Sequence, residues 1–267
     1  MKRRNEGVSF LDMRGITLLL VVVALLILLF YMAFEAKRNR ISKQTITFRS
    51  LPKAFNGYRL FFISDVHRRV IPQPLLQKIA KETDIIIIGG DLCEKRVPLA
   101  RIETNLKHLS KIAPCLFIWG NNDEEVGVHN LRRMFKEHGI IELNNDMEFI
   151  QKGDDELIIA SVNDVEHDIP LEHYYIPRET FSILVCHFPE VTEILKPDHP
   201  FSLILSGHTH GGQIRLFGWG IAKKGQWIET DSYKQLISNG YGTTGLPLRL
   251  GAPCETHLIT LTREEVS

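Results

Sequence analysis

An α/β domain behind a single membrane-spanning helix is the architecture that the sequence predicts. Three observations carry this expectation. The run from Gly15 to Phe34 holds no charged residue. From about residue 45 onward, apolar strand-like runs alternate with helix-spaced segments. Five of the apolar runs end in side chains able to bind a metal, and open α/β sheets place their ligands beyond the carboxyl ends of strands. With 267 residues, 44% of them hydrophobic, the chain suffices for one large domain with a substantial core. Lys+Arg and Asp+Glu number 32 each, so no general positive field gathers nucleic acid, and a nucleic-acid partner is not expected.

Residues 1–14 form a basic tail. Residues 15–34, "GITLLLVVVALLILLFYMAF", match the twenty or so residues that cross a hydrocarbon core of roughly 30 Å as a helix. A buried core helix would keep a polar face, and this run has none. No A-x-A cleavage signal follows, which favours an uncleaved anchor over a signal peptide. Lys2, Arg3, Arg4 and Arg14 precede the run and Lys37, Arg38, Arg40 and Lys43 follow it, so the positive-inside comparison is nearly balanced. The short basic N-terminus is assigned to the cytoplasm and the domain to the extracytoplasmic side of the cell membrane. A basic linker, 35–44, leads into the domain, 45–267.

Within the domain "YRLFFISDVH" reads as a strand ending in a polar turn. "PQPLLQKIAKET" opens on prolines and spaces Leu75, Leu76 and Ile79 as a helix does. "DIIIIGGDL" is too short and too β-branched for a helix and predicts a buried strand. A helix over about 98–112, the strand "CLFIWGNND" and the helix "HNLRRMFKEHG", closed by glycine, follow. Residues 140–163 predict a short strand and a hairpin, "FSILVCHFPE" and "FSLILSGHTH" two more buried strands, and "THLITLT" the last. Cys93, Cys115, Cys186 and Cys254 lie singly within or beside apolar runs with no CxxC, which predicts buried free thiols rather than a thiolate zinc site.

The strand ends carry the chemistry. "SGHTHGGQ" sets His208 and His210 one residue apart, and alternate side chains of an extended chain can face one point. Taken singly, each polar residue has a plain structural reading as a turn cap or a satisfied histidine. Asp65 with His67, Asp91, Asn121 to Asp123, His187, and His208 with His210 all fall at ends of apolar strands, and five coincidences of that kind point to one shared metal site. Glycines at 89, 90, 120 and 207 permit close backbone approach there.

The motifs "DVH", "GGD", "GNND", "CH" and "GHTH", in that order, resemble those of the calcineurin-like metallophosphoesterase family. The resemblance covers about residues 56–263, and "GGQIRLFGWG" with "SNGYGTTGLPLRLGAP" is similar to the bacterial YkuE/YaeI-like membrane-associated subgroup. It implies a four-layer α/β/β/α metallophosphoesterase sandwich. It further implies that Asp65, His67 and His210 hold one divalent ion, that Asn121, His187 and His208 hold a second, and that Asp91 bridges the two. Carboxylate and imidazole suit Mn, Fe or Zn, with Mg also allowed. Two such cations roughly 3.5–4 Å apart can share a hydroxide and stabilise charge on phosphoryl oxygens. The implied activity is hydrolysis of a phosphoester or pyrophosphate bond.

Asn122 departs from the pattern, because most family members carry histidine at this catalytic position. An amide can hydrogen-bond a phosphate oxygen but cannot serve as a general acid near neutral pH. His67 or a water on the metal is the replacement to consider, and Asp123 either orients the Asn122 amide or is a turn residue. His108, His129, His138, His167, His173, His199 and His257 fall outside the motifs and are read as surface or packing residues.

Two other function classes share the fold: a non-catalytic metal-binding scaffold and a nuclease. Filled ligand positions speak against the first, and neutral charge with an anchor against the second. The anchor suggests a membrane-proximal substrate, such as a nucleotide-lipid pyrophosphate resembling UDP-diacylglucosamine or a phospholipid-like ester. Phe217 and Trp219 either line the mouth of the site, where aromatic rings suit a membrane interface, or pack the domain.

Overall fold

The computed structural model describes residues 9–163, 174 and 176–265, with side chains from residue 13 onward. The tail's Lys2, Arg3 and Arg4, together with His167 and His173, lie outside the described residues.

Helix α1 (Ser9–Glu35) contains the apolar run, and Met13–Glu35 is long and apolar enough to cross a membrane. From Ile16 to Leu29 its leucines, valines and isoleucines are exposed, so nothing in the domain covers them. Only its last turn is tied down. The Met32 carbonyl accepts from the Arg249 backbone N–H at 3.1 Å, and the Ala36 carbonyl accepts from the Cys254 thiol at 3.2 Å. Glu35 is buried there and ion-paired to Arg38 and Arg40.

Two six-stranded sheets follow. The first holds β1 (Ile41–Phe48), β2 (Tyr58–Ile63), β3 (Ile85–Gly89), β4 (Cys115–Ile118), β5 (Ile140–Leu143) and, from the C-terminus, β12 (Thr256–Arg263). Their order is β1-β12-β2-β3-β4-β5, with β2 to β5 parallel and β12 antiparallel to β2. The second sheet holds β6 (Met147–Lys152), β7 (Asp155–Val162), β8 (Ser182–Cys186), β9 (Phe201–Ser206), β10 (Gln226–Glu229) and β11 (Lys234–Ile237). Its order is β10-β11-β9-β8-β7-β6, parallel from β11 to β7 with antiparallel edges.

Alternation along the buried strands builds the layers. Leu60, Phe62, Ile85 and Ile87 meet Ile183, Val185, Leu203 and Leu205 between the sheets. Phe61, Ile63, Ile86 and Ile88 face the other way, against α2 (Gln73–Ile79), α3 (Leu99–Ser110) and α4 (Val128–His138). On the far side, Ile158, Leu184 and Ile204 pack with Val191 of the short α5 (Val191–Ile194). The result is the four-layer α/β/β/α sandwich. α4 ends where Gly139 takes a left-handed φ of 65°, the C-cap that only glycine adopts without strain.

Three strands lack a clear sequence signal. β1 alternates polar and apolar residues and starts inside the basic stretch expected to link anchor and domain, since residues 41–44 already pair with β12. In β11 the apolar run is broken by Gln235, buried because its amide donates to the Pro189 carbonyl at 3.0 Å. β10 is four residues long and reads as loop. The four cysteines are buried, and none forms a disulfide.

Candidate metal centre

Asp65 follows β2, Asp91 follows β3, Asn121 and Asn122 follow β4, His187 follows β8, and His208 and His210 follow β9. The parallel strands of the two sheets therefore deliver five carboxyl ends to one edge of the sandwich. The turns there are strained. Among the described residues nine non-glycine positions have positive φ, and Asp65, His67, Asp91, His208 and His210 are five of them, at 50° to 69°.

Left-handed φ at His208 and His210 means the segment is not extended, so the two imidazoles do not face one point as strand alternation would have it. His210 turns toward Asp65 and His67. Its Nε2 lies 3.0 Å from Nε2 of His67 and 3.4 Å from Oδ1 of Asp65. His208 turns the other way, its Nδ1 3.1 Å from Oδ1 of Asn121 and its ring 5.2 Å from that of His187. Asp65, His67 and His210 form one buried cluster able to hold an ion, and Asp65, Asp91 and His187 form a second. Asp65 is thus the carboxylate common to the two tight clusters. Asp91 also faces both, with Oδ2 at 3.4 Å from Nε2 of His187 and 3.8 Å from Nε2 of His67.

The donor set fits divalent cations. Nδ1 of His187 donates to the Gly89 carbonyl at 2.9 Å, which leaves Nε2 as the nitrogen that faces the carboxylates and that a cation would take once it displaces the proton there. That Nε2 is buried without a hydrogen-bond partner; its 3.4 Å approach to Asp91 is an ion-pair contact only. The two Nε2 atoms of His67 and His210, 3.0 Å apart, have the spacing of neighbouring ligands on one ion with metal–nitrogen bonds of about 2.1 Å.

From the protein's own groups, burial works to lower the His187 imidazole, and the adjacent Asp91 and Asp65 carboxylates overcome this and carry it up to about 9. Burial likewise works to raise Asp91, and the charges of His187 and His67 hold it well below the usual carboxylate range. Burial pushes His210 down to about 4 against the pull of Asp65.

Asn122 is aimed inward. Its side-chain amide donates to Oδ2 of Asp91 at 2.6 Å and its backbone N–H to Oδ1 at 2.9 Å. Asp123 does not orient that amide. Its carboxylate accepts from the backbone N–H groups of Asp91 at 2.8 Å, Gly120 at 2.8 Å and Cys93 at 3.1 Å, clamping the β3 and β4 turns together. Burial and Asp91 push the Asp123 carboxyl up to about 7, opposed by those donors. Glycine is required at two contacts: a Cβ on Gly90, whose φ is 86°, would lie 2.5 Å from Nδ1 of His187, and one on Gly120 would lie 2.3 Å from the Asp91 nitrogen.

Two supporting residues escape sequence reasoning. Glu94 is buried with Oε2 3.1 Å from Nδ1 of His67 and ion-paired to Arg68. The approach is an ion-pair contact rather than a hydrogen bond, and it sets a carboxylate behind the ring of His67, as carboxylates stand behind metal-binding histidines. Arg249 is fully buried, donating to the carbonyls of His210, Ala252, Asn239 and Gly242 and to Nδ1 of His210 at 3.2 Å. A Glu among charged neighbours and an Arg in a loop carry no local signal of burial. Among the other histidines, His257 is buried against the Ser238 hydroxyl at 3.0 Å.

Comparison with known proteins agrees with this geometry. The sequence model of the calcineurin-like phosphoesterase superfamily domain matches residues 58–217. The chain is similar to the uncharacterised protein YpbG of Bacillus subtilis, 43% identical over 233 residues, which cover 85% of this chain and 89% of that one. It is similar to phosphodiesterase YaeI of Escherichia coli, 28% identical over 174 residues, 60% of this chain and 63% of that one. It is also similar to a Danio rerio transmembrane protein with a metallophosphoesterase domain, 26% identical over 286 residues, 96% of this chain and 65% of that one.

Proposed function

The chain belongs to the calcineurin-like phosphoesterase superfamily, and from that premise we propose that it hydrolyses a phosphoester or pyrophosphate bond of a lipid-linked substrate at a two-cation centre. Asp65, His67 and His210 would hold one ion, Asn121, His187 and His208 would hold the other, and Asp91 would serve both. The observation that carries the reading is the buried Nε2 of His187, without a hydrogen bond beside the Asp91 and Asp65 carboxylates, together with the tightly spaced His67–His210 pair on the same Asp65. Divalent cations bound there would acidify a water and neutralise charge developing on the phosphoryl oxygens.

The chain's own residues do the rest. Glu94 and the Gly89 carbonyl fix the rings of His67 and His187, and Arg249 fixes the turn that presents His210. Asn122 holds Asp91 with two hydrogen bonds and has no proton to transfer near neutrality. Leaving groups that need no protonation, such as aryl oxides or the phosphate of a pyrophosphate bond, therefore suit the site best. α1 crosses the cell membrane, its short basic N-terminal tail in the cytoplasm and the domain outside.

The test is a panel of aryl, alkyl, diester and pyrophosphate substrates, assayed on the full chain in detergent with Mn, Zn, Fe or Mg after chelation. Metal-restored turnover on at least one class supports the reading. Stoichiometric metal uptake with no turnover on any class replaces it with a metal-binding scaffold.

A further inference from the structure

The segment after His210 displays apolar side chains that the fold does not use. Phe217 is 101% exposed, Ile221 96%, Trp219 84% and Leu216 58%, and Leu246 on the neighbouring loop is 70% exposed. Neither aromatic ring packs the domain. Single exposed apolar residues are ordinary, but a contiguous group of this kind marks a surface that meets something apolar.

The group is held rigidly. Leu216 and Trp219 exchange both backbone hydrogen bonds at 2.9 Å across a tight turn whose central residues, Phe217 and Gly218, have φ of 51° and 86°. A bulky residue with positive φ at full exposure works against folding stability and presents a ring to the outside. Arg215 braces the turn from within, donating to the carbonyls of Gly218, Gly211 and Ala222 at 2.8 to 3.1 Å. The Gln213 side chain pairs both ways with the backbone of Thr244, at 3.0 and 2.7 Å, which locks the Leu246 loop alongside.

The turn is also continuous with the end of α1. Arg215 N–H donates to the Leu250 carbonyl at 2.7 Å, and the Arg249 N–H next to it donates to the Met32 carbonyl of α1 at 3.1 Å. The backbone thus runs from the apolar helix to the apolar turn through adjacent residues. On the anchor side, Arg69 donates to the carbonyls of Lys37, Arg38 and Tyr241 and lies 3.7 Å over the Tyr241 ring, so the anchor's exit is fastened to the loops that carry the site.

We propose that the turn Leu216 to Ile221, with Leu246 beside it, inserts into the interface of the same lipid bilayer that α1 crosses. Aromatic and aliphatic side chains on a short turn suit the headgroup–acyl boundary, and the exposed Lys224 beyond it suits anionic headgroups. Because Gly211 and the His210 carbonyl belong to the same braced unit, insertion holds the metal centre at headgroup depth, where the phosphate of a membrane lipid lies. The inference rests on α1 being a membrane anchor.

The test places an environment-sensitive fluorophore on single cysteines in the full chain reconstituted into phosphatidylethanolamine–phosphatidylglycerol vesicles with brominated acyl chains; the native cysteines are buried. Phe217→Cys reports the turn, Leu25→Cys the anchor, and Ser232→Cys an exposed turn of the second sheet. The expected result is strong quenching at 25 and 217, with at least about threefold more quenching at 217 than at 232. Quenching at 25 but not at 217 overturns the insertion and leaves the anchor standing. No quenching at either overturns both. A blue shift at 217 without quenching shows a protein partner, such as a second copy, and also overturns the proposal.

Discussion

Asn122 spends its side-chain amide on Asp91, donating to Oδ2 at 2.6 Å. A residue at the mouth of a hydrolytic centre thereby steadies a carboxylate and offers no acid to a departing alkoxide. A histidine there would supply one, and general acid catalysis is worth about 10²–10⁴-fold when the leaving group needs it. Asn122→His is expected to raise kcat/KM for alkyl phosphate esters about tenfold or more while changing aryl esters little. Equal effects on the two series would show that protonation of the leaving group does not limit turnover.

Asp91 faces His67 on one side and His187 on the other. Asp91→Asn removes the charge that serves both clusters, so activity should fall at least about 100-fold and bound metal should drop in both sites together. Circular dichroism should remain close to that of the parent chain. Two full equivalents of metal with normal turnover would take Asp91 out of the centre.

Glu94 is not among the candidate ligands; it pairs with Arg68 and lies 3.1 Å from Nδ1 of His67, through which it would act on a bound ion. Glu94→Gln should weaken one of two metal-binding steps about 10–100-fold and leave the other in place. Calorimetric titration with Zn or Mn resolves the two steps. Loss of both, or of neither, would show that Glu94 does not orient His67 selectively.

His257 is none of the candidate ligands and gives a separate pH signature. Burial pushes its imidazole down to about 4. A folded-state value below the unfolded value of about 6.5 means the unfolded chain takes up the proton first. The contribution is therefore intact above about pH 6.5 and is lost as pH falls toward 4. The loss amounts to about 3 kcal/mol, because one unit corresponds to about 1.4 kcal/mol. His257→Gln keeps a partner for Ser238 but cannot titrate, so the difference in melting temperature between the two proteins should shrink or reverse across that interval. A constant difference from pH 7 to 4 would contradict the buried neutral imidazole.

The sequence exposes most of this architecture because its strands are buried on both faces. Continuous apolar runs such as "DIIIIGG" are unambiguous, and polar residues stand out at their ends. The strands it hides are those at or near sheet edges, where β1 alternates in character and β11 tolerates Gln235 because Pro189 supplies an acceptor. The same limit applies at the centre. Residue types at the ends of strands reveal which groups converge, whereas the opposite directions of His208 and His210 follow from left-handed turns that no spacing encodes. Glu94 and Arg249 stay hidden because their burial is decided by residues far away in the chain.

Among the described residues, five of the nine non-glycine positions with positive φ are candidate ligands, which makes the centre a reservoir of conformational energy. Glycine would relax each of them, so natural drift and stability-driven engineering both lean toward erasing the site while improving the scaffold around it. The strain therefore sits on the candidate ligand residues themselves. Ion binding in turn makes heat resistance a gauge of loading: ions that bind the native chain and not the unfolded one raise the melting point with their concentration, and a chelated sample should report the scaffold's bare endurance.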